Sequence, residues 1–204
     1  WSISAPANTS FSQSIDGSTL AASVRVVEVY LSNTTKFPAS GAELPPGVTS
    51  PVSRVLAPGV DYVAAVSADI DSFGKILRIN PLKPLRPSTG ATNIGYMVFL
   101  TDGIRDTNGQ QVEPSATYAS YKSAPANCSN FTDALQKGLC GFAKSLLAIA
   151  AATGLNTANV VLSWSFSTQS VNDTLGALAQ TVPAQTIAVQ ATGVTTKALI
   201  PALA

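Results

Sequence analysis

In VRVVEVYLS the apolar positions come in two interleaved sets: Val27, Val29 and Leu31 fall on one face of an extended chain, and Val24, Val26 and Tyr30 on the other. Successive strand residues point to opposite faces, so two apolar sets predict a strand covered on both sides. DYVAAVSADI alternates with Tyr62, Ala64, Val66, Ala68 and Ile70 on a single face, and GKILRI follows a turn at Asp71 to Gly74, which reads as a hairpin. In YMVFLT, Tyr96, Val98 and Leu100 alternate with Met97, Phe99 and Thr101 as in a half-buried strand. In NVVLSWSFSTQS, Val160, Leu162, Trp164 and Phe166 point one way, and Val161, Ser163, Ser165 and Ser167 the other. The expectation there is a core strand with Trp164 buried and a solvated serine face. TYASYK reads as a further short strand.

The period then changes in NFTDALQKGLCGFAKSLLAIAAATG. Leu135, Leu139, Phe142, Leu146 and Ile149 recur at steps of four and three, one stripe of an amphipathic helix. Asn130 or Thr132 can cap its start, and Gly154 stands where a terminating glycine belongs. A short helix over VNDTLGALAQ and a β-like tail, QTIAVQATGVTTKALIPALA, follow the last strong strand. TKFPASGAELPPGVTSPVSR, with four prolines and no sustained period, is a loop or a short excursion with irregular strands. Asn108-Gly109 is the strongest short-range turn signal and predicts a type I′ turn.

Composition narrows the class. The chain has 204 residues, 46% hydrophobic and only 11% charged, long enough to bury its own core and of a make-up that suits extracellular bacterial proteins. Twelve basic against eleven acidic side chains, without a basic cluster, exclude a nucleic-acid footprint. No apolar run approaches the length of a transmembrane segment. The chain starts at Trp1 without a methionine or a charged leader, so any signal peptide or anchor is expected to have been removed already. The absence of histidine removes the Ser-His-Asp arrangement and the usual zinc sites. No catalytic residue, cofactor-binding residue or metal ligand is therefore assigned.

Cys128 and Cys140 bracket the first turns of the predicted helix. In a secreted chain with an even cysteine count they are expected to form a disulfide; in a reducing compartment they would be free thiols. DIDSFG, Asp69 to Gly74, begins like a calcium loop, but Phe73 and Asn80 stand where that loop needs oxygen ligands, so a turn with solvated carboxylates is expected. Asp102, Asp106 and Glu113 lie near one another in sequence, but aspartates beside turns serve the backbone, and no catalysis is assigned to them. RINPLKPLRPSTG spaces Pro81, Pro84 and Pro87 by three, the period of a polyproline II ligand. Leu82 and Leu85 between them, and the strand that follows, favour a structural crossing instead.

LRINPLKPLRPSTG, then YMVFLTDGIRDTNGQQVEPSATYASYK, then VVLSWSFSTQSV resemble the N-terminal domain of bacterial virulence-factor lipases, the large extracellular or outer-membrane lipases and phospholipases of Gram-negative bacteria. The resemblance runs from Pro81 to Ser170, and its first half is also similar to bacterial Ig-like modules. ATNIG, Ala91 to Gly95, departs from the pattern and is expected to lengthen a loop. The resemblance implies a mainly β fold, an Ig-like β-sandwich with a disulfide-stapled α-helical insertion before the last core strand. Residues 1–20 form an extended lead-in, residues 21–170 the sandwich with its insertion at 128–154, and residues 171–204 a helix and connector. It also implies a partner, a C-terminal α/β-hydrolase domain of the same polypeptide, bearing the nucleophilic serine and meeting a lipid surface. The chain itself has no G-x-S-x-G and looks like the non-catalytic N-terminal portion of a secreted or outer-membrane lipase. The rival reading is a free-standing Ig-like adhesion or carbohydrate-binding module. A complete small esterase is disfavoured by the missing histidine.

Overall fold

The computed structural model describes residues 3–4, 15–35, 37–67 and 76–181. In chain order the strands are β1 (Ile3–Ser4), β2 (Val24–Leu31), β3 (Val52–Val55), β4 (Tyr62–Val66), β5 (Leu77–Pro81), β6 (Asn93–Thr101), β7 (Glu113–Pro114) and β8 (Val160–Ser167). The helices are α1 (Leu20–Ser23), α2 (Ala116–Ser123), α3 (Ala134–Ala152) and α4 (Val171–Thr181). A four-stranded antiparallel sheet, ordered β3-β2-β6-β8, is the frame; β4 and β5 form the expected hairpin, and β1 pairs with β7.

The two apolar sets of β2 divide as their alternation predicts. Val27, Val29 and Leu31, with Met97 and Phe99 of β6, pack beneath α2 and α3. Val24 and Val26, with Tyr96, Val98 and Leu100, face the β4–β5 hairpin. The layers are thus helix pair, sheet, hairpin. Tyr62 fastens the hairpin by donating its hydroxyl to the Val24 carbonyl at 2.7 Å. The scaffold is β, with the helices α2 and α3 inserted before the last strand. The second β layer among the described residues is this hairpin rather than a broad sheet.

Cys128 and Cys140 are bonded, with Cα atoms 6.1 Å apart and a sequence separation of 12. A closed loop of that size contributes on the order of 3 kcal/mol in the chain-entropy model. It ties the approach of α3 to the helix itself, beside Tyr121 and Phe131, whose rings meet edge to face with centroids 5.1 Å apart. The helix ends where expected: Gly154 takes φ +76, and Leu155 returns its N–H to the Ala150 carbonyl at 3.0 Å. Its start is capped by Asp133, which accepts from Gln136 N–H at 2.8 Å, not by Asn130 or Thr132. The buried stripe also sits a little to one side of the predicted line. Leu146 and Ile149 of that line are buried, and Leu139 and Phe142 pack partly buried beside them. Cys140, Ala143, Leu147 and Ala150 are buried as well, however, and Leu135 at the first turn is exposed.

Four local expectations are corrected. TYASYK is helix α2, not a strand: Ser115 caps it, and Tyr118 and Tyr121, three apart, reach the core from one face. The serine face of β8 is solvated only toward its end: Ser167 is exposed and Ser165 half-buried, but Ser163 is buried. Ser163 is 1% exposed and its hydroxyl lies 2.6 Å from that of Tyr118, because α2 and α3 cover this side of the sheet. Trp164 is only partly buried and Phe166 is 41% exposed, since β8 is an edge strand that the hairpin covers incompletely. ATNIG does not lengthen a loop: Thr89 and Thr92 bridge a tight turn, and β6 begins at Asn93.

The Asn108-Gly109 turn exists without the type I′ form, because Gly109 has φ +81 while Asn108 stays at negative φ. The buried Asp106 carboxylate accepts from the N–H groups of Asn108 and Gln110 at 2.9 and 2.8 Å. A register shift between Leu100 and Thr101 gives β8 one extra residue there. Val160 therefore packs under the helices while both Val161 and Leu162 face the hairpin side. The turn containing DIDSFG and the tail from residue 182 onward lie outside the described residues.

Candidate functional site

On the hairpin side, the cross-strand register lines side chains into rows. One row runs Arg54, Glu28, Tyr96, Phe166; the next runs Val26, Val98, Trp164. The first row is polar in an apolar layer. Glu28 is 4% exposed, yet its neighbours on the same face of β2, Val24, Val26 and Tyr30, are apolar or aromatic. Its carboxylate accepts from the Tyr96 hydroxyl at 2.9 Å and the Ser53 hydroxyl at 2.8 Å. Arg86 and Arg54 approach it at 3.6 and 3.9 Å. Buried charge persists only where it is paired and hydrogen-bonded, and here both conditions are met.

The row continues outward. Asp61 accepts from Ala57 N–H at 2.9 Å and meets Lys83 at 3.1 Å and Arg54 at 3.5 Å. The Ala57 N–H, then Lys83, hold its carboxyl below the usual range. Arg86 also lies over the Tyr30 ring, 5.7 Å from its centroid, and its hydrogen bond to the phenol draws Tyr30 below its ordinary value. The Arg86 backbone N–H is given to the Tyr96 hydroxyl at 2.8 Å. Lys83 and Arg86 of the proline stretch thus fasten that crossing to the sheet by charge. Leu85 packs against the hairpin-side core as expected, whereas Leu82 is exposed.

Burial, and the hydrogen bond donated to Glu28, push Tyr96 up from 10.0 to about 12. In the unfolded chain the phenol ionises near its ordinary value of about 10. The stabilisation is therefore fully present below about pH 10 and is lost as pH rises toward about 12. Tyr96→Phe should flatten this alkaline fall in stability, measured by denaturant titration across that range beside the parent chain. Tyr62 and Tyr118, also raised by burial, remain in both proteins, so the difference isolates Tyr96. An unchanged alkaline fall would separate the phenol from Glu28.

Beside the polar row lies an apolar groove of about 230 Å³, walled by Leu77, Ile79 and Pro81 of β5, by Leu85, and by Trp164 and Phe166. Phe166 stacks on Tyr96 at 5.5 Å, so the ring at the groove's wall is continuous with the ring that holds Glu28. The structure leaves Asp102, Asp106 and Glu113 in separate roles: a turn, a buried turn anchor and the β7 ladder. Sequence reasoning passed over Glu28, Arg54, Asp61 and Tyr96. The available signal was a lone acid in VRVVEVYL, a strand otherwise apolar on both faces apart from Arg25.

Among the described residues no group of three or more histidine, cysteine or acidic side chains could hold a metal ion, and no helix is long and apolar enough to cross a membrane. No curated protein and no solved structure matches the chain. Residues 1–198 match the family described as bacterial virulence factor lipase N-terminal. That match spans nearly the whole chain and contains the sheet, the hairpin and the disulfide-bonded helix, and by it the chain belongs to the bacterial virulence factor lipase N-terminal family.

Proposed function

We propose that the chain is a non-catalytic accessory domain of a secreted or surface-anchored bacterial lipase, with acyl-ester hydrolysis carried out by an α/β-hydrolase domain that follows in the same polypeptide. The observation that carries this reading is the family match over residues 1–198. Residue chemistry supports it. Serine attack on an ester needs an adjacent base and donors for the oxyanion, and this chain has no histidine. Ser163, a buried hydroxyl, is engaged with Tyr118 beneath the helices.

Residues 21–170 form the domain in this reading, with the hairpin serving as the second layer of an Ig-like sandwich and residues 128–154 as its helical insertion. Residues 1–20 lead in, and residues 171–204 connect to the hydrolase domain. Leu175 and Leu178, three apart on α4 and both exposed, offer that domain an apolar contact.

Trp164 and Phe166 at the sheet edge favour the rival carbohydrate-binding reading, since sugar platforms use accessible rings. The groove beside them is lined mainly by aliphatic side chains, which leave sugar hydroxyls without partners. The test compares purified residues 1–204 with the longer protein on one p-nitrophenyl ester series. The fragment should stay at the buffer background while the longer protein turns over the esters. Titratable turnover by the fragment would overturn the non-catalytic reading, and an inactive longer protein would favour the adhesion module.

A further inference from the structure

We propose that the groove between the β4–β5 hairpin and β8 binds a monomeric medium-chain fatty carboxylate, the acyl chain lying against Ile79, Leu85, Trp164 and Phe166 and the carboxylate meeting the cations beside them. Two observations carry it. The first is shape and polarity. At about 230 Å³ the groove is smaller than most drug-sized sites, and its walls are aliphatic and aromatic, which suits a single flexible chain. Among the described residues nothing closes it, because β8 is an edge strand and the hairpin pairs with no other strand there.

The second is charge complementarity. The polar row contains three cations, Arg54, Lys83 and Arg86, against two carboxylates, Glu28 and Asp61, an excess of one positive charge. Both carboxylates are nearly buried, whereas the three cationic side chains are each about half exposed, so the excess charge faces solvent. Lys83 and Arg86 belong to the same crossing that supplies Pro81 and Leu85 to the groove. Arg54 stands in the row directly beside Val26, another lining residue. An apolar slot with a net cationic flank selects an anionic head over a neutral or cationic one.

Binding is a property of this chain alone, so its failure leaves the accessory-domain reading standing, and the two are tested separately. Residues 1–204 are titrated by calorimetry with decanoate below its micelle concentration, with decanol, and with decyltrimethylammonium; Trp164 fluorescence is followed in parallel. Decanoate should bind saturably at one site, decanol about tenfold more weakly, and the ammonium not measurably. Ile79→Trp, which fills the groove without touching the charged row, should abolish binding; Leu85→Trp serves if that variant misfolds by circular dichroism. Lys83→Gln should narrow the preference for decanoate over decanol. Trp164→Phe should remove the fluorescence change and weaken calorimetric binding, because the indole is part of the groove wall. Absence of saturable binding, equal affinity for the three head groups, or binding that survives groove filling would overturn the proposal. Phosphatidylglycerol vesicles are titrated alongside, and binding to them alone would also overturn it by making the face a membrane contact.

Discussion

Phe99→Ala should destabilise the protein by about 3–5 kcal/mol, whereas Trp164→Ala should cost about 1–2. Both remove a large ring from the same sheet, but the two rings stand in different places. Phe99 is 0% exposed on a central strand, beneath the helix layer, with Val27, Met97, Leu146 and Ala150 in the same cluster. Truncation there forfeits the transfer free energy of the ring and leaves a cavity that the disulfide-bonded helix cannot readily collapse into. Trp164 lies on the edge strand and already looks into an open groove, so water occupies space that the substitution vacates. Urea titrations of the two variants beside the parent check this. Equal losses would mean that the groove is closed in solution and that β8 is a core strand.

Replacing both Arg54 and Arg86 by Ala should cost about 3 kcal/mol, and adding Glu28→Gln to that variant should recover more than half of the loss. The reason is asymmetry of burial. The two guanidinium groups are about half exposed, so their own release to water is inexpensive, whereas the Glu28 side chain is 5% exposed and stays behind. A buried carboxylate stripped of its cations costs about 3–5 kcal/mol, and the lower end applies because Tyr96 and Ser53 still donate to it. Glutamine keeps an oxygen for one of those donors without the charge. The comparison is a denaturant series on the parent, the double and the triple variants. A triple variant no more stable than the double would show that packing, and not charge, sets the value of Glu28.

These two sites mark where alternation along the chain suffices and where it fails. For β2 and β6 the period of two separated the two apolar sets correctly. But β6, read as half-buried, is buried on both faces, because a central strand here lies between the helix pair and the hairpin. For β8 the same reading buried Trp164 and solvated Ser163. Both errors share a cause. Serine is small and hydroxylated, so it suits a surface, but it also suits a close approach beneath a helix where Tyr118 supplies a partner. Which strand lies at the edge is a property of the sheet order, and pairing between β6 and β8 spans residues more than fifty positions apart. TYASYK failed for a nearer reason: six residues are too few to separate a two-residue period from a helical one, and Ser115 as a cap decides it.

The chain by itself determined the β scaffold, the hairpin, the amphipathic helix with its terminating Gly154, the cysteine pair and the family, because each is written in local periodicity, in a glycine with positive φ or in a contiguous motif. Only the tertiary structure decided the groove and the polar row beside it. Glu28, Arg54, Asp61, Arg86 and Tyr96 come from five separate stretches of sequence, and none shows a pattern alone. They meet because antiparallel register sets Arg54 and Tyr96 on either side of Glu28, and because the proline crossing returns Lys83 and Arg86 over the same face. A desolvated carboxylate is tolerable only after those partners converge, so its site comes into being with the fold.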